Sequence, residues 1–75
     1  MINKESRKQS NQEVGSNLKR IRLQKGLTQA KVALMTNLDR SYVCRIEKGK
    51  ARMTFSLLGQ IVIGLKIRSS DLINF

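Results

Sequence analysis

The segment RSYVCRIEKGKAR, Arg40 to Arg52, carries five basic residues and a single acid, Glu47. Wound into a helix, Arg40, Ser41, Cys44, Arg45 and Lys48 share the face opposite Val43 and Ile46. One side of such a helix is core and the other is basic and polar. The major groove of duplex DNA admits a helix of this size, and base edges there carry a readable donor–acceptor code. Arginine suits a guanine edge, through two parallel hydrogen bonds to O6 and N7, so Arg40 and Arg45 are the candidates for direct reading. Ser41 can reach a base edge or a phosphate. Tyr42 fits a sugar or thymine-methyl contact, and equally a half-buried core position. Cys44 points outward but is small, and reads first as a tolerated neutral residue. Lys48, Lys50 and Arg52 lie at and beyond the helix end, where phosphates are the nearer partners. Seen in isolation, the same face also reads as an ordinary solvated surface.

Three further positions suit DNA backbone contacts. Gln29 would open a second helix and can bridge a phosphate and the start of the reading helix. Thr28, just before it, would cap that helix and help its N–H groups meet a phosphate. Asn17 is a weaker phosphate candidate. Glu47 would repel phosphates unless neutralised, and Arg22 is the candidate partner. A buried pair of that kind fixes helix packing more than it stabilises it; the alternative is an exposed Glu47 that tempers the charge.

The composition excludes most other chemistry. With Lys and Arg totalling 15 against five acids, the 75-residue chain has a formal charge of +10. Self-repulsion on that scale points to a polyanionic partner, with nucleic acid ahead of an anionic membrane or an acidic protein. There is no His, and Cys44 is the sole cysteine. That leaves no Ser-His or Cys-His pair, no zinc cluster and no internal disulfide. The carboxylates are scattered and no glycine-rich phosphate loop is present, so neither catalysis, cofactor, metal nor small-molecule ligand is expected. No signal-peptide or membrane-spanning run is seen, which gives a cytoplasmic, nucleoid-associated expectation.

The elements that must position these residues follow from apolar spacing. Residues 1–12 are polar and charged and read as a mobile basic N-terminal arm. Residues 13–75 read as one all-α domain of five helices that both binds DNA and dimerises. Val14, Leu18 and Ile21 give the first helix its buried face, and Gly26 stops it. Thr28 caps the second helix, carrying Ala30, Val32, Ala33 and Met35; it ends near Thr36 and Asn37. Asp39 caps the third, from Arg40 to about Lys48, and Gly49 ends it. Two short helices joined by three or four residues must cross steeply, as in a helix-turn-helix. Thr54 caps a fourth helix that is apolar on nearly every side, and Ser69 or Ser70 a short fifth. A chain of this length buries roughly 60% of its unfolded surface, so a dimer seam would add stability it needs.

The strings VGSNLKRIR, KGLTQAKVA and RIEKG resemble the phage repressor and Cro type of helix-turn-helix domain, over about residues 14–75. That family commonly buries an Arg–Glu pair matching Arg22 and Glu47. TNLDRSYVCRIEKGKARMTF is more specifically similar to the controller proteins of restriction–modification systems. The resemblance implies a homodimer on a palindromic operator, with Arg40 and Ser41 reading bases and half-sites roughly 34 Å apart. It places Leu57, Ile61, Leu72 and Phe75, on the fourth and fifth helices, in the dimer seam. It implies activation of the chain's own gene and a restriction gene, then repression at high dose. Some controllers carry a further base-reading Arg where this chain has Ala51, so the loop contact departs from the pattern. The competing readings are a phage or plasmid repressor, and an antitoxin that silences a toxin protein through its N-terminal segment.

Overall fold

A computed structural model describes residues 4–73 of the chain as five helices, and the side chains from residue 11 onward. They are α1 (Lys4–Gln24), α2 (Gln29–Thr36), α3 (Arg40–Glu47), α4 (Phe55–Leu65) and α5 (Ser69–Leu72). No strand occurs among the described residues. Helix α1 begins well before Glu13, where the apolar spacing starts. Residues 4–12 belong to the same helix as Val14, Leu18 and Ile21, in the stretch where the sequence suggested an arm. The apolar period reports only the part of a helix that buries an apolar face. The expectation for Met1 to Asn3 lies outside the described residues.

The core collects one stripe from each helix. Val14, Leu18 and Ile21 of α1 meet Val32 and Ala33 of α2, and Val43 and Ile46 of α3. Leu57, Leu58, Ile61 and Leu65 of α4, with Leu72 of α5, close the other side. Each fully buried leucine or isoleucine contributes about 1.5–3 kcal/mol of transfer free energy. Ala30, Leu34 and Met35 of α2 remain exposed, so α2 buries a narrow stripe only.

Four helix ends share one geometry. Gly26, Asn37, Gly49 and Lys66 all adopt the left-handed conformation. In each case the next residue's N–H reaches back five residues to a helix carbonyl: Leu27 to Arg22, Leu38 to Ala33, Lys50 to Arg45 and Ile67 to Val62. This turn satisfies carbonyls that a helix end would otherwise orphan. The residue after the turn is apolar in three of the four cases, and Leu27, Leu38 and Ile67 pack against the core. Gly supplies the left-handed residue at no steric cost, whereas Lys66 adopts it against an intrinsic penalty of about 1–2 kcal/mol.

The starts of the helices are less uniform. Thr28 Oγ1 accepts from Lys31 N–H at 3.0 Å, and Thr54 Oγ1 accepts from Leu57 N–H at 3.2 Å. Asp39 occupies the cap position of α3 but its side chain makes no capping bond. For α5 the cap is Arg68 rather than Ser69 or Ser70, and the Asp71 carboxylate accepts from the Arg68 N–H at 2.9 Å.

Two contacts fix α2 against α4. A methyl group on Gly64 would sit 2.6 Å from the Met35 carbonyl oxygen, so the two backbones approach as closely as glycine allows. Beside it, Gln60 Nε2 donates to the carbonyls of Thr36 and Asn37, at 2.9 and 3.2 Å. These are carbonyls that the end of α2 leaves open. The buried Thr36 hydroxyl donates to Val32 O at 2.7 Å. Among the described residues, no buried side-chain nitrogen or oxygen lacks a partner.

Candidate nucleic-acid interface

Helix α3 has two sharply different sides. Val43 and Ile46 are fully buried, whereas Arg40, Ser41, Arg45 and Lys48 are exposed. Cys44 is half-buried between them, and Tyr42 is half-buried with its ring packed on the core. Tyr42 thus serves the fold while keeping one edge at the surface. A shallow groove runs beside the helix, bounded by Asn37, Leu38, Asp39, Ser41, Tyr42 and Arg45. Arg40, Ser41, Arg45 and Lys48 therefore present four polar or cationic side chains outward from a firmly seated backbone.

That seating is polar. Arg22 Nε lies 2.7 Å from Glu47 Oε2, and Arg22 Nη2 lies 3.1 Å from Oε1, a two-pronged pair with Glu47 only 3% exposed. The paired carboxylate hydrogen-bonds the Arg22 guanidinium and raises its pKa further above the ordinary arginine value, so the charge is permanent. A third donor completes the acceptor: Gln29 Nε2 reaches Glu47 Oε1 at 3.1 Å. Arg22 Nη1 also donates to Leu27 O at 3.0 Å, tying in the turn before α2. One carboxylate therefore binds the ends of α1, α2 and α3 together. Glu47 is neutralised and turned inward, and the outward face of α3 is left without an acid.

Close packing reinforces this arrangement. A methyl group on Gly15 would run into the Ile46 carbonyl oxygen and lie 3.0 Å from that of Glu47. Only glycine lets α1 cross the end of α3 at this separation. The loop that follows, Lys48 to Thr54, turns Lys50 and Arg52 to solvent and Ala51 inward, where it is 5% exposed. The position where some controllers carry a base-reading Arg thus belongs to the core here, and the outward loop positions are Lys50 and Arg52.

The remaining expected contacts divide. Thr28 is exposed and already caps α2. Gln29 gives one amide hydrogen to Glu47, which leaves its second free for a phosphate. Asn17 is committed elsewhere: its Nδ2 donates to Leu72 O at 2.8 Å, and its Oδ1 accepts from Arg20 Nη2 at 3.1 Å. It fastens α5 to α1, in place of the expected phosphate contact. No sequence pattern marks that bond, which spans 55 positions.

The expected dimer residues are corrected more completely. Leu57, Ile61 and Leu72 are 6%, 0% and 0% exposed, so they fill the core of one copy and cannot meet another. Phe75 lies outside the described residues. The apolar side chains that α4 does expose are Phe55, at 91%, and Ile63, at 78%. An apolar helix gives no sign in its sequence of which half faces its own core, and the core took the 57–58–61–65 stripe. Phe55 borders an apolar groove with Met53, Leu58 and Ile73.

The chain belongs to the helix-turn-helix family, whose pattern matches residues 18–72. Fold, family and basic α3 define a DNA-binding transcriptional regulator. Its solved likenesses narrow the class. The restriction-modification controller protein C.AhdI from Aeromonas hydrophila is 29% identical with a TM-score of 0.80, over 87% of this chain and 98% of that one. The controller protein C.Esp1396I is 37% identical with a TM-score of 0.73, over 79% and 76%. A hypothetical transcription factor from Neisseria is 25% identical with a TM-score of 0.76, over 88% and 77%. No curated protein matches the chain. No helix among the described residues is long and apolar enough to cross a membrane.

Proposed function

We propose that this chain is a restriction–modification controller that binds a palindromic operator as a homodimer. The observation that carries the reading is the division of α3. Its inner face is locked by Glu47, Arg22 and Gln29, and its outer face presents Arg40, Ser41 and Arg45 with no acid among them. Placed in the major groove, Arg40 and Arg45 reach guanine edges and Ser41 a base edge or phosphate. Cys44 and the exposed edge of Tyr42 lie against the groove wall. Thr28 and Gln29 on one side, and Lys48, Lys50 and Arg52 on the other, hold phosphates and fix the register. The likeness to two controller proteins supports the regulatory role.

The homodimer rests on the outer side of α4. Phe55 and Ile63 stand free of the core and carry no charge that would keep them solvated. A two-fold pairing through that side would place two copies of α3 at half-sites about one helical turn apart. Selection from random duplex DNA at physiological salt tests the whole reading, because non-specific phosphate binding is weak there. Enrichment of a palindrome with that spacing is the expected result. Recovery of unrelated sequences would reduce α3 to a non-specific contact and remove the operator from the proposal.

A further inference from the structure

We propose that Asp39 is a specificity-determining residue of the reading surface, whose carboxylate accepts a hydrogen bond from the exocyclic amine of a cytosine in each half-site. The proposal rests on the reading above that α3 lies in the major groove, and adds to its cations an acid that selects one base.

The described acids have different surroundings. Glu47 is held by Arg22 and Gln29, and Asp71 accepts from the Arg68 N–H. Glu13 is exposed on α1, where it borders a shallow depression with Gln12, Ser16 and Asn17. Asp39 sits just before α3, where an aspartate ordinarily accepts from a helix N–H, as Thr28 and Thr54 do for α2 and α4. Its side chain makes no such bond, and it enters no ion pair among the described residues. It is exposed, and it lines the groove beside α3 together with Ser41, Tyr42 and Arg45. Its backbone is nevertheless fixed, because its carbonyl accepts from the Tyr42 and Val43 N–H groups at 3.0 Å each. A firmly placed carboxylate thus stands free among the side chains that face the groove.

Phosphates repel that carboxylate on every sequence alike, so only a base edge can favour it. Guanine presents two acceptors in the major groove and thymine one, and both repel a carboxylate. Adenine offers its N6 amine, but with the N7 acceptor beside it. Cytosine offers the N4 amine alone. One hydrogen of that amine pairs with guanine, and the other points into the groove. Arg40, next in the chain, suits a guanine edge, so the two neighbouring side chains match a cytosine and a guanine. The acid discriminates twice, by accepting from the right base and by repelling the wrong ones.

The test compares the full chain with Asp39→Ala and Asp39→Asn, by selection from random duplex DNA. Each is then titrated with the selected operator, unmodified or carrying a methyl group on N4 of the cytosine. That methyl group takes the place of the hydrogen that faces the groove. The parent should select cytosine at one position per half-site, and bind the methylated operator about tenfold more weakly, within the range for one mismatched pair. Asp39→Ala should lose preference at that position alone, ignore the methyl group and bind random duplex more tightly. Asp39→Asn should move the preference to adenine, whose N6 and N7 suit a carboxamide. Thermal melting of the alanine variant should match the parent, because the side chain caps nothing. An alanine variant that keeps the parent's base preferences while binding every duplex more tightly would make Asp39 a plain surface charge and overturn the proposal. Uniformly weaker binding with a lowered melting temperature would make it a helix cap and overturn it too. A parent that selects no operator overturns the groove reading and this proposal with it.

Discussion

The two outer surfaces of this small bundle are built on opposite terms. On the α3 side, the surface is cationic and the seating beneath it joins Val43 and Ile46 to a polar lock in which one carboxylate gathers Arg22 and Gln29. On the α4 side, the seating is mainly apolar, through Leu57, Leu58, Ile61 and Leu65, with Gln60 adding hydrogen bonds to the end of α2, and the surface itself displays Phe55 and Ile63. A hydrogen-bonded ion pair is directional and holds a helix at one rotation, which a base-reading helix requires. An apolar seat is non-directional but supplies most of the free energy. The molecule thus leans on the ion pair for positioning and on apolar burial for stability, and presents one cationic and one apolar surface.

Glu47 is the most sensitive point of the α3 side. Glu47→Ala leaves the buried Arg22 charge without its partner, and should cost about 3–5 kcal/mol. For a domain of this size that is a large fraction of all its stability. A urea titration should show the midpoint collapse, and Arg22→Met combined with Glu47→Leu should recover most of it while loosening operator choice. Recovery of both stability and choice would show that the pair positions nothing. On the apolar side, Leu57→Ala should lose about 2–5 kcal/mol of folding stability. Phe55→Ser should leave the fold within about 0.5 kcal/mol, since the side chain is exposed, yet shift sedimentation toward the monomer. Equal folding losses at both positions would erase the distinction between core and seam.

Smaller effects sharpen the α3 side. Arg40→Ala should cost about 1–3 kcal/mol in operator binding and relax preference at one base pair per half-site. Lys50→Ala should weaken all duplexes alike and lower the salt slope by about one. If the two variants behaved identically in a competition assay, reading and holding would not be divided between helix and loop. Smallest of all, Lys66→Gly should raise the melting temperature by a few degrees, through about 1 kcal/mol of relieved backbone strain at the left-handed turn.

Much of this was legible in the sequence, and the failures share a cause. Helices α2 and α3 and their turn rest on short-range signals: Thr28 as cap, Gly26 and Gly49 as stops, and a spacing of three between Val43 and Ile46; the Arg22–Glu47 relation came instead from the need to neutralise a lone acid in a basic cluster and from the family resemblance. Contacts between distant positions carry no such signal. Asn17 with Leu72, and Gln60 with the end of α2, depend on how the helices cross, which no local pattern encodes. The residues expected at a dimer seam lie in the core for a related reason. With Phe55, Leu57, Leu58, Ile61, Val62 and Leu65 all apolar, the periodicity of α4 is too weak to choose an inner face. The start of α1 was missed because a polar helix has no apolar period at all.

The Gln60 clasp and the close approach at Gly64 have a mechanical consequence. They bind the end of α2 to the middle of α4 by hydrogen bonds and backbone contact, and α2 in turn packs on α3. Any two-fold axis set on α4 is then transmitted to α3 as if through a single casting. The distance and twist between two such readers would be quantised by the fold rather than adjusted to the duplex. Adding one base pair between half-sites rotates the duplex by about a tenth of a turn, a mismatch that the DNA itself would have to absorb by twisting.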